Sequence, residues 1–167
     1  RNVLLVGRWS YYASGTGVGL DAQNTITLSG HEATSNAEVL RAGLAATLPQ
    51  LEAQFGAVHV LEQMPELPAY DSRAAARLLA HGQISEAELA TRARASRADA
   101  KTRYGLAQHA MSAAPVIETW SAVCTNESCS ALQEGASWYF DNNHITNTAA
   151  RAMSARFAPL MRGELAP

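Results

Sequence analysis

The chain has 167 residues, 47% hydrophobic and 17% charged, a composition that can bury the core of one domain of ordinary size, residues 1–167. A net charge of -2 with no basic stripe argues against a nucleic-acid partner, and no apolar run approaches the roughly 18 residues of a membrane span. The first residue is Arg and no signal-peptide pattern follows it, so the expectation is a chain cut from something longer.

Residues 2–6, NVLLV, form a short continuous apolar run, the pattern of a strand buried on both faces. GRWSYYASGTGVGLDAQ follows and reads as a turn and a loop. Its Gly15, Gly17 and Gly19 lack the G-x-G-x-x-G spacing, and no helix is expected behind them, so a phosphate cradle is not proposed. NTITLSG reads as a short peripheral hairpin strand. Ser35 and Glu38 then form a capping box. Leu40, Leu44, Leu48, Leu51 and Phe55 recur at helical spacing, with a kink predicted at Pro49 and an end at Gly56. AVHVLEQMP is a second apolar strand that stops at Pro65. Strand, helix and strand in this order make a βαβ crossover and predict a parallel sheet.

Ser72–Ala80 reads as a short helix ended by Gly82. Ser85 and Glu88 make a second capping box, opening one long Ala- and Arg-rich helix with a solvated outer face, AELATRARASRADAKTRYGLAQHA. Residues 114–120, APVIETW, read as a third strand. A last helix is capped by Thr146 or Asn147, and Met153, Phe157, Leu160 and Met161 give it an apolar stripe for the core. Three strands are few for a doubly wound α/β domain, so further strands are expected upstream of Arg1.

Two segments carry chemistry. Cys124 and Cys129 are too far apart for a Cys-x-x-Cys motif and have no second pair to complete a zinc site; a loop-closing disulfide and an oxidising compartment such as a periplasm follow, with two unconnected thiols as the alternative. The Asn126-Glu-Ser128 sequon beside them is read as chance. His31, His59, His81 and His109 show no paired ligand spacing, so neither a metal nor a cofactor is expected. The second segment is WYFDNNHIT, in which Asp141 precedes His144 by three residues. A carboxylate bonded to one imidazole nitrogen fixes the tautomer, while the other nitrogen takes a nucleophile's proton. The competing reading is a turn-capping Asp beside an incidental surface His.

Four features in order resemble the SGNH (GDSL-like) hydrolase superfamily, specifically the SGNH domain fused to bacterial acyltransferase-3 O-acetyltransferases. They are the strand ending in Arg-Trp, VLLVGRWSYY; the helix, strand and proline exit of LRAGLAATLPQLEAQFGAVHVLEQMPELP; the cysteine pair; and YFDNNHIT. The resemblance implies a three-layer α/β/α sandwich with a parallel, flavodoxin-like sheet. It makes His144 the general base and acid and Asp141 its orienter. The family's Gly-Asp-Ser motif is absent: after Gly7 stand Arg8 and Trp9. The nucleophilic serine is therefore expected upstream, with Ser10 as the weaker candidate. Arg8 and Trp9 fall beside the active site, where Arg8 is a candidate for oxyanion or substrate contact.

Tyr11, Tyr12, Trp138 and Tyr139 either stack on sugar rings or pack at the rim, and Pro65, Glu66 and Pro68 are candidates for substrate contact at a strand end. The implied activity is O-acetylation of a cell-surface polysaccharide or lipopolysaccharide sugar through an acyl-serine, in a periplasmic domain of a bacterial inner-membrane protein. The implied partners are a glycan acceptor and a membrane acyltransferase domain that supplies the acyl group. A carbohydrate esterase and a non-catalytic glycan-binding module remain as alternatives.

Overall fold

The computed structural model describes residues 2–19, 21–32 and 34–164. It divides into two compact units. The first holds the chain up to Gln63, Thr102–Thr119 and the chain from Ala155 onward; the second holds Met64–Lys101 and Trp120–Ser154.

The first unit is built on a parallel sheet of β1 (Val3–Leu5), β2 (Val58–Leu61) and β4 (Val116–Ile117), in the order β1-β2-β4. Val3 stands opposite Val58, and Val60 opposite Val116. The central strand is buried almost completely, as an apolar run between two partners must be. Between β1 and β2 lie α1 (Trp9–Ser14) and α2 (Asn36–Phe55). The βαβ crossover, the parallel sheet and the mixed α/β class are those expected of an SGNH α/β/α domain.

Helix α2 is capped as its sequence requires, with the Ser35 hydroxyl accepting from the Glu38 amide. Its Leu44 and Leu48 are buried, and the helix runs through Pro49 without ending. The helix α5 (Arg97–Ala110) buries Ala100, Tyr104 and Ala107, while Lys101, Gln108 and His109 face out. That is the half-buried stripe of an amphipathic helix.

Several elements differ from the sequence reading. The stretch expected to be a loop after β1 is helical at Trp9–Ser14, because Trp9, Ser10 and Ala13 bury one side of a helix only six residues long. Gly15 ends it in the left-handed region at φ 72°, with its N–H bonded to the Tyr11 carbonyl. Residues 24–30 make no strand. The Asn24 amide donates to Gly15 O, the Asn24 carbonyl accepts from the Asn36 side chain, and Leu28 and His31 form only an isolated bridge.

In the second unit α3 (Ser72–Ala80) carries an Asp71 cap, and α4 (Glu86–Arg92) the expected capping box of Ser85 and Glu88. The long helix expected from this box is broken. β3 (Arg94–Ser96) pairs antiparallel with β5 (Ser128–Ser130) before α5 begins. Ala95 stands opposite Cys129, which is fully buried, so pairing outweighs the helix propensity of this Ala- and Arg-rich stretch. A hairpin of β6 (Leu132–Gln133) and β7 (Ala136–Ser137) leads toward α6 (Asn147–Ala152).

Two further expectations are shortened by the structure. The third strand covers only Val116–Ile117, and Trp120–Ala122 turn into a 3-10 helix. The last helix is two: α6, capped by Thr146, and α7 (Ser154–Arg162). Met153 and Leu160 are buried, but Met161 is 82% exposed and lies outside the stripe assigned to it. No helix among the described residues is long and apolar enough to cross a membrane.

Candidate active site

Residues 138–146 leave β7 and return to α6 as a narrow excursion. Thr146 N donates to Trp138 O, Phe140 N donates to His144 O at 2.7 Å, and Tyr139 bridges Ile145. The tip is therefore Asp141-Asn-Asn-His144. Asp141 organises it from inside: Oδ1 accepts the amides of Asn143 at 3.0 Å and His144 at 2.8 Å, which is an Asx turn. Its other oxygen, Oδ2, lies 2.8 Å from His144 Nδ1. One carboxylate thus sets both the backbone of the turn and the imidazole.

The electrostatics of the tip follow from these bonds. Partial burial works against ionisation of Asp141. The amides of Asn143 and His144 and the His144 ring outweigh it, so its pKa lies below the ordinary Asp value. The ionised carboxylate favours a proton on Nδ1, which leaves Nε2 as the basic nitrogen. The His144 side chain is 72% exposed, against 29% for that of Asp141. The orienting group is sheltered and the titratable ring is open.

The excursion is tied down by residues 65–73. The buried Tyr139 donates its hydroxyl to Pro65 O at 2.8 Å, and burial together with the Glu66 carboxylate raises its pKa, so it stays a donor. Leu67 N donates to Asn142 O, and both the amide and the hydroxyl of Ser72 donate to Phe140 O. The Arg73 guanidinium lies 4.4 Å over the Phe140 ring. Thr146 closes the far end, its hydroxyl donating to Ser137 O and accepting the Ala149 amide as the cap of α6.

The other sequence-derived candidates fall as follows. Tyr139 is core, Trp138 is half-buried and Tyr12 is 40% exposed. Pro65 and Glu66 are buried, with Pro65 offering its carbonyl to Tyr139, while Pro68 is exposed. This anchoring by residues 65–73 was not read from the sequence; the proline exit from β2 was its only local signal. Arg8 and Trp9 belong to the first unit. Arg8 pairs with Asp21 at 2.6 Å and lies over the Tyr11 ring; the Trp9 ring is buried and its N–H bonds Leu61 O. Ser10 is buried, its hydroxyl accepting from the Gln63 amide and its backbone N–H donating to that side chain's oxygen, both at 2.7 Å. Cys124 and Cys129 are joined in a disulfide.

The parallel βαβ unit marks an α/β domain, and the chain also carries an Asp–His pair at a helix entrance. The chain belongs to the family of SGNH domains fused to acyltransferase-3 (AT3) domains, whose model matches residues 1–159. The role of that family is hydrolase- or acyltransferase-like, and its name carries the link to a membrane acyltransferase. No curated protein and no solved structure matches the chain.

Proposed function

We propose that residues 1–167 form one SGNH-type acyl-transfer domain that places an acetyl or similar small acyl group on a hydroxyl of a cell-surface polysaccharide or lipopolysaccharide sugar. The setting is the periplasmic side of a bacterial inner membrane, and a membrane AT3 domain, in the same polypeptide, supplies the acyl group. The observation that carries the proposal is the 2.8 Å contact between His144 Nδ1 and Asp141 Oδ2 on an open ring. The family match and the disulfide, which suits an oxidising compartment, support it.

The nucleophile in this reading is a serine upstream of these residues, because the sequence has no Gly-Asp-Ser motif and Ser10 is enclosed by Gln63. His144 Nε2 takes the serine proton as the oxygen attacks the acyl carbonyl, and Asp141 stabilises the imidazolium. The imidazolium then gives its proton to the departing group of the donor. In the second half the sugar hydroxyl loses its proton to Nε2 as it attacks the acyl-serine, and the proton returns to the serine as the ester passes to the sugar.

The test is His144→Ala in the intact protein, with glycan O-acetyl content measured by mass spectrometry beside thermal unfolding. Acylation should vanish with the melting temperature unchanged. Near-normal acylation by a folded variant overturns the proposal. Release of free acetate at the same rate with and without acceptor sugar would instead identify an esterase.

A further inference from the structure

The ribbon of β3 and β5 in the second unit has two chemically different faces. Ala95 and Cys129 occupy one, and Cys129 is fully buried. Strand alternation places Arg94 and Ser130 on the other, with Ser128 two residues along. On that side a depression of about 370 Å³ is lined by Arg94, Ser121, Thr125, Ser128, Ser130 and Gln133, among others. Its size is at the lower end of the roughly 300–1,000 Å³ of ligand sites. Neither Asp141 nor His144 lines it.

The hydrogen bonds divide the lining into fixed and unused groups. Ser130 Oγ donates to Leu132 O and accepts from Leu132 N. The Gln133 NH2 group donates to Val123 O and Ser130 O. The 124–129 loop, whose Cys124, Thr125 and Ser128 line the depression, is closed by the disulfide. The Arg94 guanidinium and the Ser128 hydroxyl, by contrast, have no partner among the described residues, and Gln133 Oε1 accepts from none. Among the residues lining the depression Arg94 alone is charged.

A forked cation, one hydroxyl and one free acceptor on a rigid floor suit a ligand that is anionic and also bears hydroxyls. We propose that this depression is a subsite for a sugar residue carrying an oxyanion, a carboxylate or a phosphate. Arg94 takes the oxyanion in a forked pair, while Ser128 and Gln133 Oε1 bond ring hydroxyls. The inference deepens the glycan reading above by naming a class of residue in the acceptor, and it rests on that reading only for its biological sense.

Calorimetry on the intact protein tests it, with trigalacturonate, its neutral methyl ester and glucose 1-phosphate as probes. At least one of the two anionic probes should bind, and which one identifies the carboxylate or the phosphate source. The methyl ester should bind about tenfold more weakly than trigalacturonate if the carboxylate is the source, and weaker than glucose 1-phosphate if it is the phosphate. Arg94→Ala should cost about tenfold for the anionic probe and nothing for the methyl ester; Arg94→Lys should recover part of the loss. His144→Ala should bind as the unsubstituted protein does, which separates this subsite from the fate of the catalytic proposal. No binding of either anion, an unchanged affinity in Arg94→Ala, or a methyl ester that binds as tightly as both anions would overturn it.

Discussion

Both units bury an apolar core, but they pair their strands differently and add to that core by different means. In the first, an apolar strand is enclosed by two others, Trp9, Leu44 and Leu48 are buried, and polar bonds such as that of Trp9 to Leu61 trim a hydrophobic core. In the second, Leu67, Tyr70, Trp120 and Tyr139 are buried beside short antiparallel pairs, and a disulfide, capped helices and side chains bonded to backbone add to the ordering. A core of the first kind tolerates much sequence change as long as volume is kept. Bonds of the added kind specify single atoms, as the Asp141 carboxylate does for the His144 ring.

The comparison is most sharply tested at the site itself. Asp141→Asn keeps the size of the side chain but favours the wrong tautomer of His144, so acyl transfer should fall on the order of a thousandfold with little change in melting temperature. Loss of folding together with activity would mean that the Asx turn is the residue's main work. The depressed pKa of Asp141 has a sign. Its small contribution to stability is present above the ordinary Asp range and is lost as pH falls through the lowered folded value. Carbon-13 titration of that carboxyl should show a midpoint below the ordinary Asp value, moving up in His144→Ala.

Trp9→Ala addresses the first unit. Removing a buried indole should cost about 3–5 kcal/mol, measured by denaturant unfolding. A loss under about 1 kcal/mol would show that the helix after β1 is dispensable to that core. The double change Cys124→Ser, Cys129→Ser should cost about 2 kcal/mol, the entropy of closing so short a loop. An unchanged unfolding midpoint would remove the disulfide from the account of the second unit. Tyr139→Phe leaves Pro65 O without its donor and should cost about 1–2 kcal/mol. A larger fall in activity than in stability would show that the anchor of the excursion tunes the site. The smallest effect is expected from Ser10→Ala, whose activity should stay within a few-fold of normal. A loss matching that of His144→Ala would make Ser10 the nucleophile.

The strands and helix of the βαβ unit, the short disulfide loop and the caps at Ser35, Ser85 and Thr146 were legible in the sequence because each is set by near neighbours, and the family showed through motifs that are themselves local. An apolar run needs only its own residues to declare itself, and a cap needs only the next three. The contact between Asp141 and His144 is equally local, three residues apart inside one turn.

What depended on distant partners was not legible. Arg94–Ser96 has the composition of a helix and became a strand because Ser128–Ser130 was there to pair with it. Trp9–Ser14 looked like a loop because six residues are too few to display a period, and burial of Trp9 and Ala13 decided the matter. The support that Pro65, Leu67 and Ser72 give to the Asp–His turn spans more than 60 residues of chain, and no spacing rule reaches that far. Sequence by itself determined the elements whose free energy is local; tertiary structure alone decided those whose backbone groups and apolar faces are completed by a remote segment.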